Sequence, residues 1–272
     1  MSADAVRPWL ERWRLNPDGE VVRTPTALVQ FVRRGEERLV LKLITHTDEA
    51  SQPGVLEHYG GHGAVRLFAH ADGAMLMEHA WPGRPLSELA LGGHDDEATG
   101  VVAGLIAELH WRPAPSGART VEDWGRGFDR IRPSALAAGA DPDLIDRAGT
   151  LYRELCASQG RRVLLHGDLH HHNILFDDGR GWLAIDPKGV AGELAFETGA
   201  ILRNPGPDPA VYADPKVIAR RTGILAERLG LERERIHGWC FVQAVLSALW
   251  QVEDGLDATL AWQMAAAARG PL

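Results

Sequence analysis

Three polar residues with definite spacing surround a hairpin pattern in the middle of the chain. Asn173 lies five positions after Asp168, and Asp186 lies a further thirteen positions on. Two short apolar runs joined by a glycine-containing turn separate Asn173 from Asp186, and this pattern predicts a β-hairpin. Phosphoryl transfer from ATP requires a base aimed at a hydroxyl and oxygen ligands for Mg²⁺. The spacing therefore indicates this chemistry, with Asp168 as the base and with Asn173 and Asp186 as the metal ligands.

Each of these residues also suits an ordinary structural role. Asp168 could be a turn or cap residue, Asn173 a turn residue at the entry to a strand, and Asp186 a cap before Pro187. A coincidence of all three at these spacings is improbable, so the functional interpretation is preferred.

A lysine interrupts the most apolar strand pattern of the chain. Lys42 stands in the middle of residues 39–43, which are otherwise leucine and valine. A buried ammonium group is costly unless it is paired. We expect Lys42 to bind the α- and β-phosphates of a nucleotide, and the alternative is a solvated lysine on an edge strand.

Composition limits the possible partners and surroundings. The 272 residues suffice for one large or two small domains, and the formal net charge of −8 comes without a long basic run. Nucleic acid is therefore not an expected partner, whereas a cationic small molecule fits the sign of the charge. No run of about 18 apolar residues predicts a membrane span, and residues 1–14 contain no signal-like apolar core. The two cysteines suit buried thiols in a reducing compartment, so a cytoplasmic location is expected.

The coarse pattern predicts a β-rich first part and a mostly helical remainder. Strands are expected at 20–23, 27–33, 38–44, 64–69 and 74–78, with a helical stretch between 48 and 61. The turn-rich segment 81–85 marks a break, and we expect one domain over 1–79 and a second over 80–272. Helices are expected from 95, 141 and 214 and over 232–253 and 256–268, while 112–134 and 203–212 read as long loops.

Two features resemble the aminoglycoside phosphotransferases. One is the order of these elements, and the other is the segment His166-Gly167-Asp168-Leu169-His170-His171-His172-Asn173, together with Ile185-Asp186-Pro187. Residues 63–67, 182–187 and 249–256 make the resemblance strongest to the streptomycin 6-phosphotransferases, which are grouped with hydroxyurea phosphotransferases. The resemblance implies an α+β, protein-kinase-like bilobal fold, with a small β-rich N-lobe and a larger, mostly helical C-lobe. It also implies an ATP- and Mg²⁺-dependent kinase that acts on a small molecule.

The resemblance further assigns residues to the nucleotide site. It makes Glu49 the partner of Lys42, with Glu57 as the alternative, and it makes residues 78–80 a hinge whose backbone holds the adenine. The hinge residues are Glu78, His79 and Ala80. A glycine-rich phosphate loop is absent, because Thr24-Pro25-Thr26 stands in its place.

The acceptor implied by the resemblance is a cationic aminoglycoside, streptomycin, phosphorylated on its 6-hydroxyl. Trp250, Glu253 and Asp254 would face this acceptor, because carboxylates pair well with guanidinium groups and are disfavoured at a helix C-terminus without such a use. Asp123, in a second acidic and aromatic cluster, is a further candidate for the acceptor site. Glu193 and Glu197 are expected to brace the catalytic loop. A solvated acidic helix end is the alternative for the first group.

Other functions remain open at this point. The same chemistry could serve hydroxyurea, a sugar or ketosamine, or an amino alcohol. A metal-dependent phosphoesterase would need further His and Asp segments that the sequence does not contain, and a non-catalytic nucleotide-binding protein would not need the full set of polar residues. His170, His171 and His172 resemble a metal site, but consecutive residues of an extended segment point to opposite faces, so we expect them to brace the loop instead.

Overall fold

The computed structural model describes residues 3–205 and 212–270, and it divides the chain into two compact units. The first unit contains residues 1–84 and 173–189, and the second contains residues 85–172 and 190–272. The domain boundary predicted from the sequence, between residues 79 and 80, lies a few residues earlier and places the hairpin in the second domain. The structure groups the hairpin with the first unit because Ala184 exchanges backbone hydrogen bonds with Gly63 and Val65.

The strands of the described residues, in chain order, are β1 (Asn16–Pro17), β2 (Val22–Arg23), β3 (Ala27–Arg34), β4 (Glu37–Ile44), β5 (Leu67–Ala71), β6 (Ala74–Glu78), β7 (Pro82–Pro85), β8 (Arg162–Leu165), β9 (Ile174–Asp177), β10 (Gly181–Ala184) and β11 (Val190–Glu193).

The α-helices of the same residues are α1 (Arg7–Trp13), α2 (Gln52–Tyr59), α3 (Leu86–Leu91), α4 (Asp95–Leu109), α5 (Val121–Ala137), α6 (Pro142–Ala157), α7 (Leu194–Leu202), α8 (Pro215–Leu229), α9 (Arg233–Glu253) and α10 (Thr259–Ala268). Short 3₁₀ turns precede α1 and α2, and a third covers His171–Asn173 immediately before β9.

The first unit is built on an antiparallel sheet with the order β1-β3-β4-β6-β5, and β2 pairs with β3. Strand β4 is paired on both sides, and Leu39 and Leu41 are fully enclosed because they pack into a core cluster with residues that include Leu15, Leu28 and Leu76. A second sheet has the order β10-β9-β7. The segment 81–85, predicted as a turn-rich break, therefore contains a short strand.

The second unit is mostly helical and is organised around α9. This long helix packs against α5, α6, α7 and α10, and its middle turns, including Trp239 and Cys240, are fully buried. Strands β8 and β11 form an antiparallel pair in this unit. The α+β class predicted from the sequence is confirmed, with a β-rich first unit and a mostly helical second unit.

The prediction of a long loop over residues 112–134 was wrong, because α5 occupies much of this range. Thr120 and Asp123 form a capping box at its start, with Asp123 accepting bonds from the backbone N–H and the hydroxyl of Thr120. Gly125 suggested a loop, but the glycine allows close packing instead, because a Cβ there would lie 2.5 Å from the Tyr152 ring. Of the second predicted loop, residues 206–211 lie outside the described residues.

Within the described ranges, none of the helices combines the length and the apolar character that a membrane span requires.

Candidate active site

Lys42 lies on the central strand β4, where its ammonium group is almost completely buried. Its Nζ is 2.8 Å from Oε2 of Glu49, 2.9 Å from Oδ1 of Asp186 and 3.0 Å from Oε1 of Gln52. The residue is 3% exposed. Two carboxylates and an amide oxygen therefore compensate the cost of burying this charge.

Glu49 is the carboxylate that the structure places against Lys42. The Thr26 hydroxyl donates to its Oε1 at 2.6 Å, and Lys188 lies 3.6 Å away. Burial alone would raise the pKa of Glu49, but the bonds from Lys42 and Thr26 outweigh it and lower that pKa below its ordinary value. Glu57, the alternative, pairs instead with His70 at 3.0 Å near the surface.

Asn173 and Asp186 stand at the open end of the hairpin formed by β9 and β10. Ile174 pairs with Ala184, and the Ile185 N–H donates to the Asn173 carbonyl at 2.9 Å. The strand register therefore places both candidate ligands at the same end of the hairpin. Asp186 adopts a φ of 58°, in the left-handed region that a non-glycine residue rarely occupies. Such backbone strain persists where the surroundings enforce it and is concentrated at functional sites.

The donor set at the hairpin end fits Mg²⁺. An amide and a carboxylate offer the hard oxygen ligands that this ion prefers, and Mg²⁺ is commonly held by one or two protein groups together with substrate phosphates. A cluster of three or more His, Cys, Asp or Glu residues able to hold a metal does not occur in the part of the chain that the structure describes. The consecutive histidines therefore do not form such a site there.

Asp168 belongs to the second unit and follows a tightly held loop. The backbone N–H groups of His166 and Gly167 donate to the two oxygens of Glu197 at 2.6 and 2.9 Å, and Gly167 has a φ of 81° that favours glycine. The Asp168 N–H donates to the His166 ring at 3.2 Å. The Asp168 side chain remains 28% exposed, so it is accessible to a ligand while its backbone is fixed.

Glu197 is fully buried on α7 and holds the catalytic loop, as expected from the sequence. His110 Nε2 lies 2.8 Å from its carboxylate and adds a third contact. Burial would raise the pKa of Glu197, but the contact with His110 and the backbone N–H groups lower it, so the carboxylate is ionised at neutral pH. The same prediction was wrong for Glu193, which binds Arg235 and the indole of Trp239 on α9 instead.

Two further side chains flank the Asp168 carboxylate. His170 Nε2 lies 3.8 Å from Oδ2, and burial lowers the pKa of this histidine to about 4, so the ring is neutral at neutral pH. Arg203 Nη2 lies 3.8 Å from Oδ1. Arg203 was not predicted from the sequence, because the pattern after α7 indicates a loop and contains no motif with a characteristic spacing.

The proposed hinge comprises the last residue of β6, Glu78, and the two residues that follow it. Glu78 accepts hydrogen bonds from the Arg66 N–H at 2.9 Å and from the Arg180 guanidinium. The His79 ring stacks on Phe31 with centroids 4.6 Å apart, and Ala80 is 3% exposed. The side chains of this segment are therefore occupied by contacts within the protein, which leaves its backbone groups for a ligand. Contact of this backbone with adenine stays a prediction.

The residues assigned to the acceptor have structural partners. Asp123 closes the capping box of α5, and the bonds from Thr120 lower the pKa of its carboxyl group. Glu253 forms an ion pair with Arg130, and Asp254 is the exposed C-cap of α9.

Trp250 packs edge-on against Trp124, with ring centroids 5.5 Å apart. The structure explains these positions without a ligand, so their contact with an acceptor stays a prediction.

A cavity of about 410 Å³ opens in the second unit next to Arg203. Its lining comes from the segment after α7, from α9 and from α10, and it comprises Arg203, Asn204, Tyr212, Ala244, Ser247, Gln251, Leu260, Ala261 and Met264. Since Arg203 also approaches Asp168, the cavity lies one side chain away from the candidate base.

Comparison with known proteins assigns the chain to a family. Residues 12–255 match the model of the aminoglycoside/hydroxyurea antibiotic resistance kinases. The chain is 37% identical over 258 residues to a streptomycin 6-kinase of Streptomyces glaucescens, covering 92% of this chain and 83% of that protein. It is 35% identical over 251 residues to a streptomycin 3''-kinase of Klebsiella pneumoniae, covering 90% and 92%.

The fold is shared with a solved choline/ethanolamine kinase family protein from Mesorhizobium loti. The TM-score is 0.71 at 18% identity, and the alignment covers 99% of this chain and 94% of the other. With the family match over most of its length, the chain belongs to the aminoglycoside/hydroxyurea antibiotic resistance kinases and is a phosphotransferase of aminoglycoside type.

Proposed function

We propose that this enzyme transfers the γ-phosphate of ATP to the 6-hydroxyl of streptomycin and so inactivates the antibiotic. The observation that carries the proposal is the buried ammonium group of Lys42, held at once by Glu49 and Asp186. An ammonium group held in this position can bind the α- and β-phosphates of a nucleotide. Stabilisation of negative charge is a main requirement of phosphoryl transfer.

Asn173 and Asp186 are the residues that would hold Mg²⁺, and the ion would supply positive charge to offset the negative charge that develops during transfer. The hydrogen bond from the Ile185 N–H to the Asn173 carbonyl holds the backbone of Asn173 next to the residue that precedes Asp186. The contact of Lys42 with Asp186 Oδ1 leaves the second oxygen of this carboxylate as the proposed metal ligand.

Asp168 is the proposed base. It accepts the proton of the acceptor hydroxyl as the hydroxyl oxygen forms a bond to the γ-phosphorus, while the bond from that phosphorus to the β–γ bridging oxygen breaks and ADP departs. The fixed loop backbone supports this role, since a base must be held in place to act by positioning. Use of ATP also makes the cytoplasm the proposed location.

The choice of acceptor rests on the relatives, which include kinases named for the 6- and the 3''-position of streptomycin. The resemblance of residues 249–256 favours the 6-kinases. A second candidate acceptor is hydroxyurea, because the matching family is described for both substrates.

The test is an assay of the purified enzyme with ATP and Mg²⁺ against streptomycin, hydroxyurea, a ketosamine and choline. We expect ADP release with streptomycin and a product whose phosphate is assigned to the 6-oxygen by ³¹P and ¹H NMR. Phosphate at the 3''-oxygen would overturn the proposed position only. Turnover confined to another acceptor would overturn the proposed substrate, and no turnover with any acceptor would overturn the proposed reaction.

A further inference from the structure

Arg203 is a largely buried cation, and the residues that the structure describes use few of its hydrogen-bond donors. Its side chain is 18% exposed. Nη1 donates to the Ser247 hydroxyl at 3.4 Å, and Nη2 lies 3.8 Å from Asp168, beyond hydrogen-bond distance. Nε is buried and has no hydrogen-bond partner among the residues that the structure describes. A guanidinium group carries five N–H donors, so this arginine has donors available for a ligand.

A neighbouring arginine demonstrates that the same region can satisfy such a group completely. Arg221 is fully buried, bonds to Asp95 with two of its nitrogens, and donates to the carbonyl oxygens of Ile201 and Asn204. Burying an arginine with few partners costs free energy that this alternative arrangement avoids. The difference indicates that the donors of Arg203 serve a ligand rather than the fold.

The cavity beside Arg203 defines the chemistry of that ligand. Ala244, Ser247 and Gln251 follow each other at helical spacing on one face of α9, and they face apolar residues of α10 across the cavity. Among its described lining residues, Arg203 is the only one charged at neutral pH, and the other polar groups are neutral hydroxyl and amide groups. A positive charge beside neutral hydrogen-bonding groups disfavours a cation, and the N–H donors of Arg203 suit oxygen acceptors. Because the proposed acceptor carries cationic groups and no anionic group, its uncharged, oxygen-bearing part fits this cavity.

The position of Arg203 relative to the catalytic loop is set by one short helix. Glu197 and Arg203 are six residues apart, which corresponds to about 9 Å along a helix. Glu197 holds the loop backbone, and the Gln243 side chain donates to the Phe196 carbonyl at 2.5 Å, which fixes the same helix against α9. Arg203 is therefore placed between Asp168 and the cavity by a rigid support.

We infer that this cavity binds an uncharged, oxygen-bearing ring of the acceptor and that Arg203 donates hydrogen bonds to the oxygens of that ring. The inference rests on the proposed function and deepens it. It makes Arg203 a specificity-determining residue, and it places the guanidinium groups of the acceptor outside the cavity.

The test compares Arg203→Gln and Arg203→Glu with the wild type by steady-state kinetics with streptomycin and ATP. We expect Arg203→Gln to raise the KM for streptomycin at least tenfold while the KM for ATP changes less than twofold. Arg203→Glu should raise the streptomycin KM at least as much, because the ring is uncharged. Arg132→Gln is the matched control, since Arg132 pairs with Asp146 on the surface away from the cavity, and it should leave both KM values unchanged.

Three results would overturn the inference. A lower kcat with an unchanged streptomycin KM in Arg203→Gln would mean that Arg203 acts on Asp168 alone. A lower streptomycin KM in Arg203→Glu than in Arg203→Gln would place a cation in the cavity. A wild type that turns over no acceptor would refute the proposed function and this inference with it.

If the Arg203 variants do not fold, Ala261→Leu provides the second test. It narrows the cavity without altering the arginine and should raise the streptomycin KM alone. An unchanged KM in a folded Ala261→Leu enzyme would overturn the inference as well.

Discussion

Replacing Glu197 by glutamine tests whether the catalytic loop depends on one buried carboxylate. In the structure, one oxygen accepts from the His166 N–H and His110, and the other accepts from the Gly167 N–H. Glutamine has nearly the same shape, but only one of its two terminal atoms accepts hydrogen bonds. Its NH₂ group must therefore face one of these donors.

The cost follows from these three bonds. If the amide oxygen keeps the bonds from His166 and His110, the Gly167 N–H is left buried without an acceptor, at about 1–3 kcal/mol. The two remaining bonds lose their charged acceptor, at about 1 kcal/mol each. The sum of roughly 3–5 kcal/mol corresponds to a decrease in Tm of about 6–20 °C for a protein of this size.

The assay combines thermal unfolding with kinetics at a temperature where the variant is folded. We expect a lower Tm and, in the folded enzyme, a lower kcat with an unchanged KM for ATP, because the loop carries Asp168. Glu193→Gln is the matched control. Glu193 is also a buried carboxylate near α7, but it binds Arg235 and Trp239, so its loss should lower Tm without changing kcat.

The effect should depend on pH in a definite direction. The pKa of Glu197 in the folded protein lies below its ordinary value of 4.5. Its contribution to stability is therefore fully present above pH 4.5 and is lost as the pH falls through the folded-state pKa. The stability difference between wild type and Glu197→Gln should stay constant from pH 7 to about 5 and shrink below. A kcat equal to that of the wild type, or a Tm change below 2 °C, would refute the assigned role.

Further perturbations test the phosphate site, the helix packing and the metal site separately. Lys42→Met leaves a carboxylate buried without its cation, so it should lower the free energy of unfolding, measured with denaturant, by about 3–5 kcal/mol. It should also weaken ATP binding in calorimetry, and an unchanged affinity would contradict the role of Lys42 at the phosphates. Gly199→Ala should lower the free energy of unfolding by about 1–3 kcal/mol, because the new Cβ would lie 2.4 Å from a glutamine of α9. The control Gly104→Ala places its Cβ within 4 Å of no atom and should stabilise its helix by about 0.5–1 kcal/mol. Equal Tm changes in the two variants would contradict the packing. Asn173→Ala should raise the Mg²⁺ concentration that gives the half-maximal rate about tenfold, and EDTA should abolish turnover of the wild type. Activity that survives EDTA would contradict the metal site. An unchanged Mg²⁺ dependence in Asp186→Asn would contradict it as well.

Local patterns in the sequence predicted most of the fold. The strong strand around Lys42 and the hairpin after Asn173 appear as expected, since alternation and turn residues act over short distances. The Asp-Pro pairs at 141–142 and 214–215 mark helix starts, and both aspartates accept the expected capping bond.

The errors came from residues whose role depends on distant partners. The glycines of α5 resembled loop residues, but they permit close packing on other helices. The segment 82–85 resembled a turn, but β9 supplies a strand partner nearly a hundred residues later. Neither contact can be read from the local sequence.

The candidate site residues were also chosen from local patterns, and their roles stay predictions. Asp168, Asn173 and Asp186 belong to one continuous motif, and their spacing carried the information. Arg203 has no motif, and its importance follows from the Asp168 carboxylate and a cavity that only the folded chain brings together. The acceptor residues were the weakest part of the prediction, because any charged helix end gives a similar pattern.

The central claim is that Asp168 acts as the base and contributes little to nucleotide binding. The most direct measurement is the rate of streptomycin phosphorylation by Asp168→Ala together with its dissociation constant for ATP. We expect loss of turnover while the dissociation constant for ATP stays within about threefold of the wild-type value. A loss of ATP affinity comparable to the loss of rate, or retained turnover, would contradict it.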